Sequence, residues 1–357
     1  MNTQKTCVIV FKRGGKLARD EKWSYNGNDL QVSPSAIYLG FQFSRNGSWL
    51  NHLKNAAAKA TRAARTLLRF YYKFQDIPAP FFWSLYECAI EPICLYGAEV
   101  WGAYPQALSI LEKPMMFFLK AVLSLPRGAP SAPVRLDFSI IKTREKAICR
   151  AVNFWCKLTR LPQSFILRAC LDYQKTLITR GVRCWAFHIK EVLFKLGYGY
   201  IWNQDGPENI QSFKAAFLER ISDVSFADAF SECRSLPSLS FYTGMKKNAT
   251  EPEYYLTKNS SLRRATAILR LNLKYSLPVA EGSFCRLCND LISTPNYFDH
   301  FLYTCEALFR FRQSNPRIPY PHVLWPIMRG ESTALLQRFE LAVRKPRFVG
   351  PRMRLAS

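Results

Sequence analysis

The chain has 357 residues, 48% hydrophobic and 14% aromatic, which is ample for packed cores and excludes a disordered chain. Fifty Lys and Arg against 26 Asp and Glu leave a formal net charge of +24, so phosphate backbones or anionic membrane surfaces are the expected partners. The membrane is the weaker of the two, because no apolar run approaches the ~20 residues of a spanning helix.

The opening MNTQKTCVIVFKRGG lacks the charged, apolar and small-residue order of a signal peptide. With 11 cysteines thinly spread, it leads us to expect a reducing, intracellular location, nuclear or cytoplasmic. TCVIVF, the Gly14-Gly15 turn, KWSYNG and AIYLGFQFS then alternate β-branched and aromatic residues with turn punctuation. They predict a small antiparallel β unit over residues 1–45.

After Asn46-Gly47 the period becomes helical. At about 100° per residue, Leu50, Leu53, Ala57, Ala60, Ala64, Leu67, Leu68 and Tyr71 share one side. Lys54, Arg62, Arg65, Arg69 and Lys73 share the other. No acidic residue lies between Arg45 and Lys73, so the stripe has no i, i+4 partners within the helix and is open to phosphates. An ordinary solvated face is the alternative.

FFWSLYECAIEPICLYGAEVWG and PQALSILEKPMMFFLKAVLSL read as core helices interrupted at Pro92 and Pro114. Glu87, Glu91 and Glu99 stand in this apolar region without a His or Asp motif, which gives them helix-face or capping roles. The stretch SLPRGAPSAPV at 124–134 predicts a domain boundary, residues 141–232 several helices, and residues 235–260 a long connection. SLRRATAILRLNLKYS follows as a basic helix with Arg263, Arg264, Arg270 and Lys274, and VRKPRFVGPRMRLAS as a basic tail.

Cys285, Cys288, His300 and Cys305 form C-x2-C-x11-H-x4-C, with three of the 11 cysteines and one of the 4 histidines inside one short stretch. Two thiolates on a Cys-x-x-Cys turn and a later His and Cys can close a tetrahedral zinc shell. Four protein ligands leave no open position, which points to a structural ion; reduced thiols near a surface histidine are the alternative. His322 is a more awkward substitute ligand. The other eight cysteines read as small buried hydrophobes. No P-loop, G-x-S-x-G or H-E-x-x-H motif occurs, nor an apolar strand with paired aspartates.

The expected fold class is therefore mainly α with a small N-terminal antiparallel β unit and a small C-terminal zinc-binding module. The expected division is a β segment at 1–45, a helical domain at 46–125, a helical connector at 134–260, a basic helix with the zinc module at 261–310, and a helix with a basic tail at 311–357.

In their order, NTQKTCVIVF, AIYLGFQFS, the alanine-rich basic helix, LYGAEVWG, LSLPRGAP and the terminal Cys-Cys-His-Cys cluster resemble the C-terminal part of reverse transcriptases of non-LTR (LINE-type) retrotransposons. The resemblance implies that Lys5 matches a lysine beside the polymerase active site. It implies that Tyr38, Leu39 and Gly40 match the primer grip, and that the basic helix matches the thumb that tracks a template-primer duplex. The family's catalytic aspartates, and the Mg2+ they hold in the intact parent enzyme, match nothing in this sequence.

The resulting expectation is a nucleic-acid-binding fragment of such an enzyme, not a polymerase alone, whose partners are RNA or DNA, including the element transcript. Lys54, Arg62, Arg65, Arg69 and Lys73 would contact phosphates, with Arg263 and Arg264 extending that surface. Two alternatives stay open: a truncated reading of an active RNA-directed DNA polymerase, and a helical protein-interaction scaffold.

Overall fold

A computed structural model describes residues 6–12, 15, 22–74, 76–105, 108–246, 248–271, 284–285, 288–293, 300 and 304–306. Among them are six short strands, β1 (Cys7–Val8), β2 (Ser24–Tyr25), β3 (Asn28–Asp29), β4 (Gln31–Val32), β5 (Ser35–Tyr38) and β6 (Phe41–Ser44). Helices follow as α1 (Leu50–Lys73), α2 (Ala79–Ala89), α3 (Glu91–Cys94), α4 (Ala98–Trp101), α5 (Glu112–Val122), α6 (Ser131–Phe138) and α7 (Thr143–Thr159). The last are α8 (Ile166–Thr179), α9 (Trp185–Lys195), α10 (Gly199–Asn203), α11 (Ile210–Arg234), α12 (Ser240–Met245) and α13 (Ser260–Arg270). The chain is mainly helical, as its periodicity predicts.

The described residues fall into two compact units. One is drawn from Met1–Thr66, Tyr86–Met116 and Ile141–Ser225, the other from Leu67–Leu85, Phe117–Ile140 and Phe226–Ser357. In the first unit, β2 and β3 pair antiparallel, as do β5 and β6, while β1 and β4 pair parallel across the intervening hairpin. The β5–β6 turn is Leu39-Gly40, both at positive φ (48° and 81°), the left-handed pair that a two-residue hairpin needs. Leu39 is an unfavourable residue there. The Tyr96 hydroxyl donates to the Leu39 carbonyl at 2.7 Å and holds the turn.

LYGAEVWG supplies the close packing beneath that hairpin. Gly97 has φ 69°, and a Cβ on it would overlap the Phe41 ring. A Cβ on Gly102 would overlap the Ala147 carbonyl, so glycine lets the end of α4 approach α7. Trp101 is fully buried and donates from Nε1 to the Tyr96 carbonyl at 3.0 Å. An apolar cluster of this unit lies around Trp155, Ala151, Ile189, Leu193 and Phe217, and the rings of Trp155 and Trp202 stack at 5.7 Å. Lys146 bridges Glu87 and Glu91 at 3.1 and 2.6 Å, so both carboxylates serve helix-face ion pairs.

In the second unit the Pro-rich stretch expected to divide domains instead makes a turn and α6, whose residues from Ala132 to Phe138 are all buried. Pro130 precedes the helix in an extended conformation that suits its ring. The expected connection at 235–260 also contributes to the core. It folds as short turns and α12, which bury Leu239, Tyr242, Tyr255 and Leu256. Of the cysteines expected to be buried, Cys94, Cys156 and Cys233 are, and burial pushes each thiol up to about 12. Cys7, Cys88 and Cys170 are exposed instead.

Candidate metal centre and nucleic-acid interface

Cys285, Cys288, His300 and Cys305 converge so that one ligand atom from each lies within 4.8 Å of all the others. Local backbone pairing aims them. Phe284 and Leu291 form an antiparallel bridge, the Cys285 amide donates to the Asp290 carbonyl at 2.8 Å, and Asn289 turns the chain at φ 63°. On the other side the Cys305 amide donates to the His300 carbonyl at 2.7 Å. Thr304 Oγ1 lies 2.9 Å from His300 Nδ1, and His300 Nε2 lies 3.5 Å from Cys288 Sγ.

The distances discriminate between a disulfide and a metal shell. Cys285 Sγ and Cys305 Sγ are 3.8 Å apart, far beyond the ~2.05 Å of a disulfide. Bonds of ~2.3 Å to sulfur and ~2.0 Å to nitrogen give tetrahedral edges of about 3.8 Å (S to S) and 3.5 Å (S to N). Burial, then the neighbouring Cys285 and Cys288, push the Cys305 thiol up to about 12, and burial raises Cys288 as well. Thiolates so close together need a compensating cation. The cluster can therefore hold a metal ion.

Helix α1 starts where Ser48 Oγ accepts from the Leu50 amide, one of the donors that a helix start leaves without a carbonyl. Its inner face matches the predicted wheel at Leu53, Ala57, Ala60, Ala64, Leu68 and Tyr71, all buried. Leu67 is half-buried, and Leu50 at the helix start is exposed. Alanines at 57, 60 and 64 let neighbouring backbone approach this face closely. Lys54, Arg62, Arg65, Arg69 and Lys73 are all exposed, and Lys59 with them. Among the described residues, Lys54, Lys59, Arg62, Arg69 and Lys73 enter no ion pair.

One of the two expected extensions of that surface, Arg263, is otherwise placed. Arg263 is fully buried and donates to the carbonyls of Ile77 (3.2 Å) and Lys258 (2.6 Å) and to the Tyr71 hydroxyl (3.1 Å). Its charge is spent on capping backbone, so it is not a phosphate contact. Arg264 is half-buried beside it. Arg270, read from the sequence as part of a basic helix, is buried against Asp137. The helix is basic in composition, yet Arg263 and Arg270 serve the core.

Tyr38 and Leu39 stand 67% and 72% exposed at the hairpin tip, beside Ile37 at 72%. Gly40 completes that turn under the Tyr96 ring. Lys5, Lys274, His322 and the 311–357 segment lie outside the described residues. The Asp137–Arg270 pair carried no sequence signal, because its partners stand 133 positions apart in the chain. No family model, curated protein or solved structure matches the chain.

Proposed function

We propose that this chain binds nucleic acid in the manner of the thumb and C-terminal region of a non-LTR retrotransposon reverse transcriptase. In this reading it holds a template-primer duplex by its phosphates and carries one structural zinc ion on Cys285, Cys288, His300 and Cys305. The observation that carries the proposal is α1. Its small, apolar face is buried, and its opposite face offers Lys54, Arg62, Arg65, Arg69 and Lys73 to solvent on a helix without one acidic residue.

Cations spaced along one helix face meet a row of phosphates but no base edges, so binding is expected to be largely independent of sequence. The zinc ion orders backbone around the C-terminal ligands and takes no part in chemistry, because all four positions are filled by protein.

The test is the salt dependence of duplex binding. Log affinity should fall linearly with log salt, with a slope of about −0.9 per phosphate contacted. Arg62→Ala and Arg69→Ala together should weaken every duplex sequence alike and make the slope shallower by about 2. An affinity that barely changes between low and moderate salt would rule the proposal out.

A further inference from the structure

The C-terminal end of α1 carries a pattern beyond its charge. Residues 69–74 read Arg-Phe-Tyr-Tyr-Lys-Phe, and only one of the four aromatic side chains, Tyr71, is buried. Phe70, Tyr72 and Phe74 are 56%, 55% and 53% exposed, and Phe81 at the start of α2 is 51% exposed. Tyr72 meets the Tyr71 ring edge-on at 5.5 Å, and the solvent-facing area that these outer rings keep is apolar surface a ligand can cover.

Tyr71 fixes which way they face. Its hydroxyl donates to the Val122 carbonyl at 2.7 Å and accepts from Arg263 at 3.1 Å, and its ring meets Phe82 edge-on at 5.0 Å. With Tyr71 held inward, the ~100° step per residue sets Tyr72 and Phe70 about 160° apart on the outer surface, with Arg69 and Lys73 between them. Phe74, whose amide still donates to the Phe70 carbonyl at 3.1 Å, continues the Phe70 side.

We propose that this end of α1 is a stacking platform for unpaired bases, so that the ligand includes a single-stranded segment beside a duplex. The proposal rests on the nucleic-acid reading above and deepens it. Arg69 and Lys73 meet the phosphates, while Phe70, Tyr72 and Phe74 take base faces, a combination that tolerates any sequence because every base has a π-face. Charge complementarity selects this occupant. Among the described residues neither Arg69 nor Lys73 has an ion-pair partner, so the ligand must bring negative charge as well as flat apolar surface. An anionic bilayer suits a continuous apolar face. Here the cations lie between the rings.

The experiment uses the full chain and measures affinity for a blunt duplex and for the same duplex with an unpaired extension of about six nucleotides. Vesicles of phosphatidylserine and phosphatidylcholine form the third arm. The extension should tighten binding on the order of tenfold. Phe70→Ala with Tyr72→Ala should bring the tailed duplex down to the blunt one. Phe70→Trp with Tyr72→Trp should keep the preference, which separates loss of stacking from loss of fold.

Equal affinity of the wild type for blunt and tailed duplexes would overturn the platform while leaving duplex binding intact. Failure of the wild type to bind any nucleic acid would remove both readings. A tail preference that survives in the alanine variant, or disappears in the tryptophan variant, also overturns the platform. So does vesicle binding that the alanine variant loses when no tail preference exists, since that gives these rings to a membrane surface.

Discussion

Asp137 shows how a single side chain organises the second unit. Its carboxylate accepts from Arg270 Nε and Nη2 at 3.0 and 2.7 Å and from the Tyr242 and Tyr255 hydroxyls at 2.9 and 2.8 Å. Those four donors fill the lone-pair sites of a carboxylate. The guanidinium lies 5.5 and 5.3 Å from the Tyr242 and Tyr255 ring centroids. Removing one partner strands a buried charge, so Asp137→Ala should cost about 3–5 kcal/mol in denaturant unfolding. Replacing both Asp137 and Arg270 by apolar residues should cost less than that single change. None of this was legible beforehand, since the sequence displays Arg270 as one more positive charge and is silent about a carboxylate far away along the chain. His52 gives the pH counterpart in the first unit. Burial holds its imidazole below the usual value, with the positive charge of Lys59 adding to the effect and the Tyr96 carbonyl opposing it. As pH falls through 6.5 the unfolded chain therefore takes up the proton before the folded one. Stability should fall from about pH 6.5 down to the depressed folded value and level off below it. His52→Gln should flatten the part of that slope due to this ring, as read from unfolding midpoints at pH 7.5 and pH 5.5.

At the scale of elements, periodicity was readable wherever one face of a helix is buried and the other is wet. Helix α1 follows its wheel because small residues recur on one side and cations on the other. Ala60 and Ala64 are fully buried, so Ala64→Leu adds volume where no space exists and should destabilise by about 1–3 kcal/mol in thermal or denaturant unfolding. Arg62→Ala, on the exposed side, should stay within about 0.5 kcal/mol of the wild type. That contrast separates the packing face from the binding face by two measurements on one helix. The reading failed for segments whose burial has no helical period. Residues 235–260 look like a connection because they are rich in Ser, Pro, Asn and Tyr, yet Leu239, Tyr242, Tyr255 and Leu256 anchor them inside. Helix α6 was hidden for a related reason. Its flanking prolines signal a boundary, and only tertiary packing shows that Arg135 and Asp137 within it are buried with partners.

At the scale of the molecule, the two units interleave along the chain, each taking three separate segments. No linear division by composition can anticipate that, because the information lies in which distant faces match. The Cys-Cys-His-Cys cluster is the opposite case. Its ligands lie close in sequence and its chemistry demands particular residue types, so spacing alone brought together the four side chains that the fold brings together. An ion fully ligated there would also carry a stability consequence. Among the described residues, backbone pairing around the ligands includes the Phe284–Leu291 bridge and the Cys285 and Cys305 amide bonds. A metal ion held by the four ligands would add to that order, as it does in small zinc domains. Metal analysis of purified protein should give one zinc per chain. Cys288→Ser, which removes one of three thiolates, should lower that content, and chelation should open the 284–306 stretch to proteolysis. The first unit, which contains none of the ligands, should resist digestion equally with and without metal. Protein that holds no stoichiometric zinc, yet resists proteolysis at 284–306, would show that backbone pairing alone maintains the cluster.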